Sequence, residues 1–340
     1  MNIISSPKNK QNKVFLVGST GFVGMHLAAE LKRRAVPFKA TIRTKEQNFD
    51  NEIEFVITGN LVEGVNWRGH MNDVSTVIYA AARAHITKEI HGDGMSNYEA
   101  INAEAALHCA NMAAVSGVKR FIYISSIKVN GESTNFNKPY SFDQPPQPED
   151  PYALSKLSAE KQLLRLGAEK KIEVVIIRPP LIYGPNVKAN FLHMMQLISL
   201  RVPLPFDLAR DNKRSFVSID NLADLIITCI SHPKAANDIF LVSDGHDIST
   251  ADLLTTLGLI MGVKVRLFAF PKVLVEAIFF ILGRHGMARR LFGSLQVDIS
   301  HTQEKLDWKP PLSMEEGLKT AVYTFLQRGV KNEKNNRLNA

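Results

Sequence analysis

Short apolar runs recur through the first half of the chain and alternate with longer segments of helical period. Lys13–Val17, Phe38–Ile42, Ile53–Ile57, Thr76–Tyr79, Lys119–Ile124 and Glu173–Ile177 are each bounded by polar or glycine-rich residues. Runs of this length read as strands buried on both faces, the habit of a parallel sheet. Between them, apolar positions return every three or four residues over Met25–Arg34, Tyr98–Ser116 and the segment after Pro151. Strand and helix in alternation predict an α/β fold built on a doubly wound, mostly parallel sheet. After residue 180 the alternation gives way to loops, a helix over Leu192–Leu200, and a last amphipathic helix, Met314–Gln327, beyond the turn at Trp308, Pro310 and Pro311.

The first apolar run ends at G-S-T-G-F-V-G, residues 18–24, and passes directly into a helical pattern. Strand, glycine loop and helix in that order are the setting of a dinucleotide fingerprint. Gly18 allows the tight turn, Gly21 lets backbone approach a pyrophosphate, and Gly24 lets helix pack on strand, while the helix N-terminus faces the phosphates. The spacing is Gly-x-x-Gly-x-x-Gly rather than Gly-x-Gly-x-x-Gly. Candidate contacts in the loop are Gly18, Thr20, Gly21, Phe22, Val23 and Gly24. The second run stops at Arg43, near the position where NAD-binding folds carry an acidic residue for the ribose 2′-hydroxyl. A basic residue there suits a 2′-phosphate, so NADP(H) is the expected cofactor and NAD(H) the alternative. The small residues Ala80, Ala81 and Ala82 at a strand's carboxyl end keep the cofactor surface open, and Asn60, Leu61 and Pro179 are assigned to it as well. Arg83 and His85 just beyond could touch an anionic substrate, although His85 reads more simply as a solvated loop histidine.

The stretch D-P-Y-A-L-S-K, residues 150–156, carries the candidate chemistry. Tyr152 and Lys156 are four apart on a helical segment, so both side chains leave one face. Asp150 suits the N-cap and Pro151 the first helical position. A lysine ammonium one turn away favours the phenolate and is expected to lower the tyrosine's ordinary value near 10. Such a pair protonates or deprotonates an alcohol while hydride moves at the carbon. Ser125 and Ser126 follow the fifth strand, where a hydroxyl can orient and polarise the same oxygen. Arg214, between polar Asp211–Lys213 and an apolar stretch, suits a diphosphate.

Composition adds bounds. The 340 residues are 45% hydrophobic and 22% charged, ordinary for one large or two modest globular domains. A net charge of +8 and a pI near 9.3 favour anionic partners, and with no nucleic-acid motif present, nucleotide phosphates are the economical choice. Two cysteines, Cys109 and Cys229, lie in apolar helical runs and read as buried small residues. No His/Asp/Glu cluster has metal-ligand spacing, so no metal is expected. Residues 1–12 lack the apolar core of a signal peptide and no apolar run spans a bilayer, which makes the cytoplasm the default compartment. Lys272–Leu282 is strongly apolar and precedes G-R-H-G-M-A-R-R; it is read as a buried helix, with membrane-surface or partner contact over 272–290 as the alternative.

The glycine fingerprint, serine pair, Tyr-x-x-x-Lys, R-P-P-L-I-Y-G-P at 178–185 and R-S-F-V-S-I-D at 214–220 occur in one order. In this the sequence resembles the extended short-chain dehydrogenase/reductases, and more narrowly the NAD-dependent epimerase/dehydratase branch that modifies nucleotide sugars, over roughly residues 13–327. The resemblance implies a Rossmann domain of about seven parallel strands, a smaller C-terminal α/β lobe that binds a UDP-sugar, and a homodimer through a four-helix bundle made by the helices around Tyr98–Ser116 and Pro151–Gly167. The expected division is a disordered N-terminus at 1–12, the NAD(P)-binding domain at 13–180, the interwoven substrate lobe at 181–330 and a disordered tail at 331–340. Carried over by position, Tyr152 is the acid/base, Lys156 lowers its pKa and binds the nicotinamide ribose, Ser126 is the catalytic serine, and Ser125 lies against the cofactor. Ala80–Ala82 and Asn102 match cofactor contacts; Asn190 and Arg214 match residues that hold UDP; Arg83, Lys128 and Tyr183 complete the expected substrate set. The Asp-Glu pair of the 4,6-dehydratases is replaced by Ile127 and Lys128, which argues against elimination of water. Arg43 and Asn130 stand where 4-epimerases carry an acidic residue and a tyrosine. The expected activity is therefore NADPH-dependent reduction of a UDP-4-keto-(6-deoxy)-HexNAc. The alternatives are a UDP-glucose or UDP-GlcNAc 4-epimerase with retained NAD, a reductase of small hydrophobic ketones, and a non-catalytic NADP(H) sensor.

Overall fold

Ten strands are seen in the computed structural model, which describes residues 13–44, 52–83, 98–271, 273–274, 277 and 291–338. They are β1 (Lys13–Val17), β2 (Phe38–Ile42), β3 (Glu54–Ile57), β4 (Val74–Tyr79), β5 (Arg120–Ile124), β6 (Glu173–Arg178), β7 (Leu181–Tyr183), β8 (Arg214–Ser218), β9 (Asp238–Leu241) and β10 (Asp247–Ile248). Seven of them form one sheet in the order β3-β2-β1-β4-β5-β6-β9, parallel at every pairing. The order reverses between β1 and β4, which opens a crevice at the carboxyl ends where doubly wound sheets take their ligands. The helices are α1 (Phe22–Arg33), α2 (Ala105–Val115), α3 (Pro151–Lys170), α4 (Ala189–Ser199), α5 (Ile219–Ser231), α6 (Thr250–Ile260), α7 (Ser300–Leu306) and α8 (Met314–Leu338).

One face of the sheet buries Val14, Leu16, Ile122 and Ile177 against Leu27 and Leu31 of α1 and Leu222 and Ile226 of α5. The other buries Phe15, Val77, Phe121 and Ile176 against Ala106 and Ala110 of α2 and Ala159 and Leu163 of α3. Alanine on α2 lets that helix lie close to the strands. A second sheet, β10-β8-β7, belongs to the smaller lobe, whose core gathers Tyr183, Phe191, Phe216, Leu254 and Leu318.

After residue 180 the chain returns to the first domain: β9 pairs with β6, and α5 packs beside α1, where Arg34 reaches Asp224 at 2.6 Å. Without β9, the apolar edge of β6 would face water. Two features depart from the sequence reading. The helix expected over Tyr98–Ser116 is broken by a π turn at Ala100–Glu104. Two tyrosine hydroxyls draw carbonyls out of the ladder there, Tyr123 to Asn102 at 2.6 Å and Tyr79 to Ile101 at 3.2 Å. Finally, α8 continues past Gln327 to Leu338 in place of a disordered tail from 331, since no proline or glycine follows Gly329 to end it. Residues 1–12, His85 and most of 272–290 lie outside the described residues; of the last segment, Val273 and Leu274 are exposed rather than buried. Among the described residues no helix is long and apolar enough to cross a membrane.

Candidate active site

β1 delivers the glycine loop at the crevice. Gly18 has φ +89°, and a Cβ on it would lie 2.5 Å from the Ala81 nitrogen, so loop and β4 end meet backbone to backbone. A Cβ on Gly24 would lie 2.0 Å from the Gly18 carbonyl oxygen, so α1 can approach the loop only through glycine. Gly21 differs: its nearest neighbour would be the Gly18 oxygen at 3.4 Å. The N–H groups of Phe22, Val23 and Gly24 find no acceptor among the described residues. Three unpaired donors at a helix N-terminus, beside a position kept clear of any side chain, fit a dinucleotide pyrophosphate. Thr41 on β2 props the loop, taking the Gly18 N–H at 3.0 Å and offering its carbonyl to the Ser19 hydroxyl at 2.6 Å. Sequence reasoning passed over Thr41, although its place two residues before Arg43 puts it at the same strand end. Arg43 is exposed just past β2. Asn60 caps the short turn Leu61–Glu63 through Val62 N–H.

The second half of the site is the start of α3. Asp150 caps it, accepting from Ala153 N–H at 2.7 Å, and Pro151 follows as the first helical residue. Tyr152 is half-buried and edge-on to Tyr98, with ring centroids 6.2 Å apart. Ser126 approaches the phenol from the end of β5, its hydroxyl oxygen accepting the Lys128 N–H at 3.3 Å. Lys156 is fully buried; its ammonium donates to the Ile124 carbonyl at 2.8 Å and sits 4.4 Å from the Tyr123 ring centre. Ser126, Tyr152 and Lys156 lie near one another at the start of α3, but the electrostatics differ from the expectation. The ammonium points at β5, 6.0 Å from the Tyr152 ring centre. Burial pushes the Tyr152 phenol up, and the opposing pull comes from the Ser126 hydrogen bond. Burial also lowers Lys156 to about 7, with Glu160 working against it. The expected lowering of the tyrosine by the lysine is therefore absent, because the charge is spent on a carbonyl and a neighbouring ring.

Comparison with known proteins settles the family. A family description, NAD dependent epimerase/dehydratase, matches residues 14–243. A curated "UDP-glucose 4-epimerase" of Vibrio cholerae is 43% identical over 314 residues, covering 92% of this chain and 95% of that one. The chain belongs to the NAD-dependent epimerase/dehydratase family. It is an enzyme of the extended short-chain dehydrogenase/reductases, a family that is NAD(P)-dependent. Among solved structures, the UDP-glucuronic acid 4-epimerase of Bacillus cereus with NAD shares the fold at TM-score 0.74 and 19% identity, covering 93% of this chain and 99% of that one. RMD of Pseudomonas aeruginosa, solved with NADPH, does so at TM-score 0.69 and 19%, covering 92% and 99%. The named relative favours epimerisation over the expected reduction of a 4-keto sugar.

For an epimerase/dehydratase family member, several expected contacts turn inward. Ser125 does not face the cofactor crevice: it is buried and its hydroxyl donates to Glu160 at 2.5 Å. Asn102 is fully buried in the π turn, holding Arg83 N–H at 3.0 Å and donating to Ser155 at 3.0 Å, so it shapes the 80–83 loop rather than presenting an amide. Lys128 is matched within the protein, by Asp150 and Glu132 at 2.5 Å each, and is not an open cation for substrate. Tyr183 is fully buried, its hydroxyl donating to Asp244 at 2.6 Å and its ring stacked on Phe191. It belongs to the lobe core. Pro179 lends its carbonyl to Ile127 N–H at 2.9 Å, joining β6 to the serine loop. Asn190 stands half-buried in the first turn of α4, and Arg214, opening β8, donates to the Gly293 carbonyl at 2.9 Å.

Proposed function

We propose that the protein interconverts the C4 epimers of a UDP-hexose, UDP-glucose and UDP-galactose or their N-acetyl forms. The observation that carries the reading is the convergence of Ser126, Tyr152 and Lys156 at the crevice of a chain 43% identical to a UDP-glucose 4-epimerase. A bound dinucleotide supplies the acceptor and donor of hydride. The chain supplies the rest. Tyr152, as the phenolate, accepts the proton of the C4 hydroxyl as hydride leaves and returns it when hydride comes back. Ser126 orients the oxygen and shares its developing charge. Lys156, in its ammonium form, is a positive charge on the same helix face. The unpaired N–H groups of Phe22, Val23 and Gly24 hold the pyrophosphate, and Asn190 and Arg214 are assigned to the UDP portion. We also infer that the chain pairs through α2 and α3, where Val115 and Leu154 are exposed.

Arg43 favours a second reading. An exposed arginine past β2 suits a 2′-phosphate, and a net reductase of a UDP-4-keto sugar would draw on NADPH. One experiment separates them: the nucleotide released from the purified, denatured protein is identified, and the four UDP-sugars are assayed with no cofactor added. The epimerase reading expects stoichiometric NAD and interconversion of at least one pair. No turnover of all four, with preference for NADPH over NADH, would replace it by the reductase.

A further inference from the structure

One buried charge beside the site has no part in the proton movements above. Glu160 lies one turn beyond Lys156 on α3 and is 2% exposed, yet both its oxygens are occupied. Oε1 accepts from the Ser125 hydroxyl at 2.5 Å and from Arg178 Nε at 2.9 Å, and Oε2 accepts from Arg178 Nη2 at 2.5 Å. Arg178, at the end of β6, turns Nη1 to the Asn130 side-chain oxygen at 3.0 Å, and Asn130 donates to the Ser141 carbonyl at 3.1 Å. One carboxylate therefore ties the catalytic helix to the ends of β5 and β6 and, through Arg178, to the stretch after the serine pair.

Stability alone does not account for such a pair. Desolvating two ions costs as much as their attraction returns, and well-packed apolar replacements are often as stable. What an apolar pair could not provide is a carboxylate one turn from Lys156 on the same helix, even though Arg178 partly cancels its charge. The groups facing Lys156 are few. Tyr123 comes from β5, with Tyr79 of β4 stacked behind it. Tyr152 and Glu160 come from its own helix. Arg178 of β6 is held by Glu160. Farther out, Asp150 is matched by Lys128, and Glu99 accepts from Ser158 at 2.6 Å. Among these groups, Glu160, one turn along α3, is the carboxylate whose charge opposes the effect of burial on Lys156.

We propose that Glu160 is a positioning residue for proton transfer: it keeps Lys156 in its ammonium form and, through Ser125, fixes the strand end from which Ser126 reaches the substrate oxygen. This rests on the reading of Ser126, Tyr152 and Lys156 given above. Burial drives Lys156 toward its neutral form and Glu160 opposes this. Removing the carboxylate charge makes the ammonium give up its proton at lower pH, so activity that needs the ammonium is lost at lower pH.

The test reads the lysine directly. The full chain is labelled with ε-13C lysine and titrated by NMR without added nucleotide, the Lys156 signal being assigned by its loss in Lys156→Met. It is expected to titrate near 7 in the native protein. In Glu160→Gln it should move down by about one unit or more, and Glu160→Asp should keep most of the native value. The alkaline limb of the kcat profile should move with it, at little change in KM for the UDP-sugar. If Glu160→Gln does not fold by circular dichroism, the double variant Glu160→Gln/Arg178→Met should still move the Lys156 titration down, though by less, since the cation that partly cancels the carboxylate leaves with it. An unchanged Lys156 titration in a folded variant overturns the proposal. Because that signal needs no turnover, a protein inactive on every UDP-sugar would sink the functional reading and leave this result standing.

Discussion

Gly21 and Gly24 sit three residues apart in one loop, and replacing each by alanine should fail in a different way. At Gly24 a Cβ would stand 2.0 Å from the Gly18 oxygen and 2.8 Å from Ser19 Cα, where such contacts do not fall below 3.0 Å. Loop and helix must part by about 1 Å, and overpacking of that kind costs about 1–3 kcal/mol. Helix propensity points the other way, favouring alanine by about 1 kcal/mol, so the sign of the measured change decides which effect wins. At Gly21 the added carbon meets nothing closer than 3.4 Å, and its φ of −76° is open to any residue. Stability should stay within about 0.5 kcal/mol, but the methyl group occupies the pyrophosphate's approach. Dinucleotide affinity should fall at least about tenfold, or 1.4 kcal/mol. Urea denaturation of the stripped protein and calorimetric titration with NAD and NADPH measure both quantities. Gly24→Ala more stable than the native protein, or Gly21→Ala destabilised as much as Gly24→Ala, would refute the packing argument.

Tyr152→Phe should cut turnover by about 10²–10⁴ while leaving the melting temperature in place, since the ring keeps its edge contact with Tyr98; steady-state kinetics with the responsive UDP-sugar check it. Lys156 loses its proton near pH 7 when folded and near 10.5 when unfolded. Between those values the unfolded chain binds the extra proton, so stability of the protein without nucleotide should rise with pH across that window. Urea midpoints at pH 6.5, 8 and 9.5 should show this component in the native protein and lack it in Lys156→Met. Arg178→Met alone leaves Glu160 buried and unmatched, with side chains 3% and 2% exposed in the native pair, and should cost about 3–5 kcal/mol; pairing it with Glu160→Gln should recover most of that in the same denaturation assay.

What the sequence by itself determined is what neighbours along the chain decide. Apolar runs of strand length set β1 to β6, the strand, glycine loop and helix order set the cofactor crevice, and Asp150 with Pro151 set the start of α3, because these depend on periodicity, capping and backbone freedom within a few residues. What only the tertiary structure decided is where polar side chains turn. Ser125 looked like a cofactor contact, but its partner Glu160 is 35 positions away and on another element. Tyr183 resembled a substrate contact until Asp244, 61 positions on, claimed its hydroxyl in the lobe core. The π turn at Asn102 exists because Tyr79 and Tyr123 reach it from two strands, and β9 joins the sheet because β6 has an edge to cover. A buried donor or charge must be matched wherever the fold places an acceptor, and that place is a distance in space which the order of residues does not contain.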